Sequence, residues 1–236
     1  MRNQTRFRAV FFDVDDTLFD STTLATMARI NAIKAMIESG LPLTSITKGY
    51  NLLIEIVEKY GPNYDFHFDR LLEALGTKPD PKIIAAGVIA YHDTKQAYLK
   101  PDPEVIPTLI ALRDRGYKLG VISNGRPVKQ WEKIIRLGLH HFFDTVVISE
   151  EVGSEKPDVK IFQTSLERLS VAPQEAVYVG NHLETDILGA NRAGMVSIRV
   201  MREKHKRVKP SQKEMQPKYN IRKLSDLLKI LEEKRR

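Results

Sequence analysis

The sequence predicts an α/β protein in which a parallel-sheet core is interrupted, just after its first strand, by an all-helical insert. Three observations predict it. The apolar run Ala9-Val10-Phe11-Phe12 ends abruptly in the acidic stretch Asp13-Val14-Asp15-Asp16-Thr17, the pattern of a buried strand that delivers charge at its carboxyl end. Residues 20–96 then show helical periodicity without an evident strand. Beyond them helices and strands alternate, the signature of a parallel sheet with crossover helices.

Taken in order, the first strand covers Arg8 to Phe12. Leu24, Met27, Ala28, Ala32 and Ile33 recur at three- and four-residue spacings and predict a helix that Gly40 and Pro42 stop. Tyr50 to Val57 makes a second helix ended by Gly61-Pro62, Phe68 to Leu75 a third ended by Gly76, and Pro81 to Ala97 a fourth. After Pro101-Asp102-Pro103, a helix from Val105 to Arg115 precedes a strand from Tyr117 to Ile122, which ends in Ser123-Asn124-Gly125. Val128 to Leu137 is helical, Thr145 to Ile148 a strand, and Asp158 to Leu169 helical. Ala176 to Val179 is a strand ending in Gly180, Leu183 to Ala193 a helix, and Val196 to Val200 the last core strand. The first strand has no parallel partner near it in sequence and is expected to join this later sheet. The core is thus residues 1–19 and 97–236, with 201–236 as a basic C-terminal segment, and 20–96 is the insert.

Composition bounds the function. With 236 residues, 42% of them hydrophobic, the chain can bury one large core or two small ones. The absence of cysteine excludes disulfides, thiolate nucleophiles and Cys-ligated metal centres, and fits a reducing cytoplasm. The apolar run after Arg2, Arg6 and Arg8 is too short for a signal peptide or a membrane span, so a cytoplasmic protein with no membrane partner is expected. The net charge of +7 lies entirely at the C-terminus. Residues 201–236 hold thirteen Lys/Arg against five Asp/Glu, whereas the rest is almost balanced. Any nucleic-acid or anionic-surface contact would belong to the segment from Arg202 to Lys209 and the residues C-terminal to it. Because Tyr219 is its one aromatic residue, a solvated loop and a charged terminal helix are favoured over nucleic-acid binding.

In a parallel sheet the residues just beyond each strand converge on one edge, where open α/β sheets bind ligands. Here they are Asp13 and Asp15, Ser123-Asn124-Gly125, Glu155-Lys156-Pro157, and Gly180 to Asp186. Taken together they form an inventory for phosphoryl transfer. One carboxylate can act as nucleophile, and a second two residues on can trade protons with a leaving group. A hydroxyl and adjacent backbone N–H groups can hold phosphate oxygens, a lysine supplies positive charge, and the remaining carboxylates can ligate Mg²⁺. The competing reading of Asp13 to Thr17 is a strand followed by a helix cap, since Asp and Thr both cap well.

These residues also carry a resemblance. Asp13-Val14-Asp15-Asp16-Thr17-Leu18, Ser123-Asn124-Gly125, Lys156-Pro157-Asp158 and Gly180 to Asp186 resemble, in order, motifs I to IV of the haloacid dehalogenase-like hydrolase superfamily. The insert lies where subfamily I carries its helical C1 cap, and the resemblance implies a Rossmann-like core. It further implies that Asp13 attacks phosphorus and Asp15 protonates the leaving alcohol, then activates water. Ser123 and the backbone near Asn124 and Gly125 would hold the phosphoryl group, and Lys156 would offset negative charge. Mg²⁺, the implied cofactor, would be bound by Asp13, the backbone carbonyl of Asp15, Asp186 and Asn181. Asp15 argues against dehalogenation, because halide leaves without a proton. Motif IV usually opens Gly-Asp, whereas this chain has Gly180-Asn181. An amide ligand brings no charge, so weaker Mg²⁺ binding is expected. Glu184 could compensate or be a solvent-facing acid in a first helical turn, and Asp16 is read as a turn or cap residue. His182 reads as an exposed loop residue and Trp131 as core. Cap residues such as Tyr50, Asn51 and Tyr91, with Phe19 and Asp20 at the hinge, are candidates for the substrate cavity. The expected activity is a Mg²⁺-dependent phosphatase acting on a small phosphorylated metabolite, as a monomer or homodimer. The alternatives are a phosphomutase using the same site and a catalytically weakened binding protein.

Overall fold

The structure is a computed structural model that describes residues 7–202 and 209–233. The chain divides into two compact units: Met1–Asp20 with Lys100–Arg236, and Ser21–Leu99 between them.

The first unit is built on a six-stranded parallel sheet. Its strands are β1 (Ala9–Phe12), β2 (Lys118–Ser123), β3 (Thr145–Ile148), β4 (Ala176–Gly180), β5 (Val196–Val200) and β6 (Tyr219–Ile221), in the order β3-β2-β1-β4-β5-β6. This is a Rossmann-like α/β architecture. The first strand lies in the middle, pairing Ala9 with Lys118 on one side and Ala9 with Ala176 on the other. Its four residues are fully buried, which explains why they read as a continuous apolar run rather than an alternating one. Burial of Val10, Phe11 and Phe12 contributes about 1.5–3 kcal/mol each. Phe11 and Tyr178 stand on the same side of the sheet and pack with Phe162, Ile161 and Leu166 from the crossover helix Val159–Leu169. Asp158 caps that helix by accepting the Lys160 N–H.

The second unit is four helices: α1 (Ser21–Glu38), α2 (Ile46–Tyr60), α3 (His67–Ala74) and α4 (Pro81–Tyr98). Local chemistry sets their ends. Ser45 Oγ accepts the Lys48 N–H, Asp80 Oδ1 accepts those of Lys82 and Ile83, and Pro81 opens α4. Ile33, Met36, Leu53, Leu71, Leu72 and Ile83 form a separate core.

Two expectations are corrected. Val196–Val200 is not the last strand, because Tyr219–Ile221 adds a sixth alongside it, with Val200 opposite Ile221. Three residues between charged neighbours give too short an apolar run to announce a strand. The terminal helix Asp226–Glu233 is not simply a solvated charged one, since Leu227 and Leu231 are buried, as is Leu224 just before it. The basic run from Glu203 to Val208 lies outside the described residues. Among the described residues, no helix is long and apolar enough to cross a membrane.

Candidate active site

The parallel register brings the strand ends to one edge. Phe12 lies opposite Val121 and Val179, and the Asp13 N–H donates to the Val179 carbonyl at 2.9 Å. Asp13 therefore emerges between the ends of β2 and β4.

Lys156, on the loop after β3, is the hub. Its Nζ donates to Asp13 Oδ1 at 2.6 Å, Asp186 Oδ1 at 2.7 Å and the Tyr178 hydroxyl at 3.0 Å. All four groups are buried. An ammonium has three protons, and here each has an acceptor. Burial opposes the charge on Lys156, but the Asp13 and Asp186 carboxylates more than offset this and hold its pKa above the ordinary value. Burial pushes the Asp13 carboxyl up to about 7; Lys156 lowers it, while the charges of Asp186 and Asp15 raise it. Burial, with Asp186 and Asp13 nearby, also holds Tyr178 well above the usual phenol range.

The Asp186 carboxylate is held by four donors. Its Oδ1 accepts from Lys156 and Tyr178, and its Oδ2 accepts from the backbone N–H groups of Asn181 and His182 at 3.1 and 3.0 Å. Four donors occupy the carboxylate's acceptor sites. The expected helix from Leu183 is a π-turn, Leu183–Ile187, before α-helix at Leu188–Arg192. The amides of Asp186 and Ile187 both reach back to the His182 carbonyl. Gly180 allows this closure, because a Cβ there would lie 2.6 Å from the Asp186 carboxylate.

The motif II residues also separate. Ser123 ends β2, buried beside the site. The Asn124 side chain is not available to substrate, since its Oδ1 accepts the Lys156 N–H at 2.8 Å and its Nδ2 donates to the Lys156 carbonyl at 3.2 Å. The Gly125 N–H donates to Ser149 Oγ at 2.9 Å, so it too is committed within the protein. Both contacts hold loops together.

Asp15 is half-buried, and its Oδ2 pairs with Lys133 Nζ at 2.5 Å. Among the described residues, no group of three or more acidic or histidine side chains is gathered to hold a metal ion. The oxygens near Thr17 nevertheless fit a cation. Thr17 Oγ1 lies 3.5 Å from Asp13 Oδ2 and 3.4 Å from Asn181 Oδ1, and all three residues are buried. These distances are long for O–H···O bonds, and one hydroxyl proton cannot serve both acceptors at once. A cation in contact with Asp13 Oδ2 and Asn181 Oδ1 would satisfy them. Glu184 and His182 are exposed, and Trp131 is half-buried rather than core.

Sequence reasoning missed Tyr178, Lys133 and Ser149. Tyr178 carried a signal, a hydroxyl two residues before the end of an otherwise apolar strand. Lys133 sits in a helix whose apolar spacing drew attention to other faces.

Residues 10–200 match the family described as haloacid dehalogenase-like hydrolase. The chain is 55% identical over 227 residues to a glyceraldehyde 3-phosphate phosphatase of Methanopyrus kandleri, covering 96% of this chain and 97% of that one. It is 45% identical over 227 residues to a protein of the same name from Pyrococcus furiosus, covering 96% and 94%. It also resembles the crystal structure of a HAD phosphatase from Thermococcus onnurineus, with a TM-score of 0.67 and 29% identity over 95% of this chain and 98% of that one. The chain therefore belongs to the haloacid dehalogenase-like hydrolases, and its enzyme class is that of a phosphoric monoester hydrolase.

Proposed function

We propose that the protein hydrolyses a small phosphorylated metabolite, glyceraldehyde 3-phosphate or a close three-carbon analogue, with Mg²⁺ and through an aspartyl-phosphate on Asp13. The substrate class rests on the names of the two relatives at 55% and 45% identity. The chemistry rests on one observation, the buried 2.6 Å contact between Lys156 Nζ and Asp13 Oδ1. That contact sets a fixed positive charge against the carboxylate that attacks phosphorus. The P–O bond to the alcohol breaks as the O–P bond to Asp13 forms. Asp15 gives its proton to the leaving oxygen, then removes one from the water that attacks the phospho-enzyme and regenerates Asp13. The Ser123 hydroxyl, at the end of β2, holds a phosphoryl oxygen.

Asp13 Oδ2, the main-chain carbonyl of Asp15 and Asn181 Oδ1 would hold Mg²⁺, which supplies positive charge at the phosphoryl group. That charge is needed, because two like unit charges about 4 Å apart repel by about 4 kcal/mol at an effective dielectric near 20. The helical unit Ser21–Leu99 occupies the sequence position of a C1 cap and is assigned that role. A cytoplasmic location belongs to the same proposal.

Phosphate release from glyceraldehyde 3-phosphate and a panel of small phosphomonoesters, with and without Mg²⁺, tests the reading. The wild type is expected to need Mg²⁺, and Asp13→Asn to be slower by about 10³-fold or more, as for loss of other nucleophiles. Equal turnover by the two would overturn it. Isomerised sugar phosphate without phosphate release would indicate a mutase, and no turnover on any ester a binding protein.

A further inference from the structure

We propose that Arg202 is a positioning residue of the catalytic turn, acting through the Asp16 carbonyl to fix the peptide that follows Asp15. The proposal rests on the function assigned to Asp15 above and adds a residue outside the four motifs.

The turn after β1 reverses through a left-handed residue that carries a Cβ. Asp16 has φ of +55°, in the left-handed region that residues with a Cβ rarely enter. This reversal brings the N–H groups of Thr17 and Leu18 back to the Val14 carbonyl at 3.4 and 3.0 Å. It is also where the chain leaves Asp15.

Arg202, just beyond β5, meets this turn with two separate donors. Nε donates to the Asp16 carbonyl at 2.6 Å, and Nη2 pairs with Asp102 Oδ2 at 2.6 Å. The Asp102 N–H in turn donates to the Leu18 carbonyl at 3.1 Å. Asp16, Arg202, Asp102 and Leu18 thus form a closed ring of contacts drawn from three distant parts of one unit. The Arg202 side chain is 18% exposed, so these charge-assisted bonds are partly shielded from water and stronger than surface ones.

The ring bears on chemistry through covalent geometry. Asp15 and Asp16 share one planar peptide. Once the Asp16 carbonyl is held at one end and β1 at the other, the Asp15–Asp16 peptide has little freedom left. That peptide carries the Asp15 carbonyl, and the Asp15 side chain stands on the adjoining Cα. Arg202 touches neither a reacting atom nor a ligand of the proposed Mg²⁺; it fixes the backbone that presents both. An ammonium cannot replace the guanidinium here, because the planar fork serves two acceptors in different directions.

Arg202→Ala, Arg202→Lys and each combined with Asp16→Gly test the proposal by two independent readouts. Glycine enters positive φ without the Cβ clash, so it should hold the turn without the clamp. In Arg202→Ala, hydrogen exchange at the Thr17 and Leu18 amides is expected to accelerate at least tenfold. kcat for phosphate release is expected to fall 10- to 100-fold with KM changed less than threefold, and Mg²⁺ binding measured by calorimetry to weaken. Arg202→Lys should move the same way and gives a folded protein if the alanine variant is unstable. Adding Asp16→Gly should return exchange and kcat to within about threefold of wild type. Unchanged exchange in Arg202→Ala overturns the proposal whether or not the protein is a phosphatase. A kcat loss that Asp16→Gly does not restore also overturns it, since the arginine would then be a structural tie alone. Failure of wild type to hydrolyse any phosphomonoester would instead reject the proposed function, leaving the exchange result to judge the clamp.

Discussion

Lys156 donates to Asp13, Asp186 and Tyr178, and this set of contacts fixes how the centre responds to pH. The Asp13 carboxyl rises from an ordinary 3.8 to about 7 in the folded chain, chiefly through burial. Between those values the folded chain holds a proton that the unfolded chain has lost. The stability linked to Asp13 is therefore fully present below about pH 4 and is lost as pH rises through 7. Lys156 does not mask the effect, since its raised pKa keeps it an ammonium in both states over this range. In metal-free protein, Asp13→Asn should remove the dependence. Its melting temperature relative to wild type is expected to rise by several degrees between pH 5 and 8, at about 2–4 °C per kcal/mol. A constant difference in calorimetric scans over that range would contradict the raised pKa. Asp13, Asp15, Lys156 and Ser123 were legible in the sequence because each ends a predicted strand or follows one closely. Asp186 was legible in position, but the four donors around its carboxylate were not, because spacing gives no count of them.

At the level of the element, the segment from Gly180 to Ile187 does the most with the fewest residues. Gly180 ends β4, the two amides after it bind Asp186, and the backbone widens to a π-turn to bring that carboxylate back. Gly180→Ala would place a methyl group 2.6 Å from the Asp186 carboxylate. Asp186 would be displaced and Lys156 would lose one of its three acceptors. Breaking one partner of such a buried set typically costs about 3–5 kcal/mol. The expected outcome is a lower urea midpoint together with at least tenfold loss of phosphate release. A variant with wild-type stability and activity would show that the turn is not under this constraint. The long, strongly patterned elements were legible, including the central strand and the helices of the insert. The π-turn was not, since its cause is a side chain bonding upstream rather than apolar periodicity. The sixth strand was hidden by its length, and the burial of the terminal helix by the lysines and glutamates that surround Leu227 and Leu231.

Across the whole molecule, the sheet unit and the helical unit each carry a core of their own. The sheet unit extends to the C-terminal region, because β6 and the helix Asp226–Glu233 complete it. Leu227→Ala should therefore destabilise the sheet unit by about 2–5 kcal/mol, as buried Leu truncations do, despite its place in a basic segment. Denaturant unfolding followed at Trp131, which belongs to that unit, would read it, and a change below 0.5 kcal/mol would mean the helix is dispensable. The sheet order also governs how the chain must fold. The central strand pairs Ala9 with Lys118 and Ala176, so neither neighbour exists until the whole insert has been made. The helical insert needs only contacts within Ser21–Leu99. Local contacts form quickly, and distant strand pairings wait on loop closure. During synthesis, β1 and its acidic turn should thus remain unpaired while the insert becomes ordered. The catalytic edge would assemble only when β4 arrives, making activity one of the last properties the growing chain acquires.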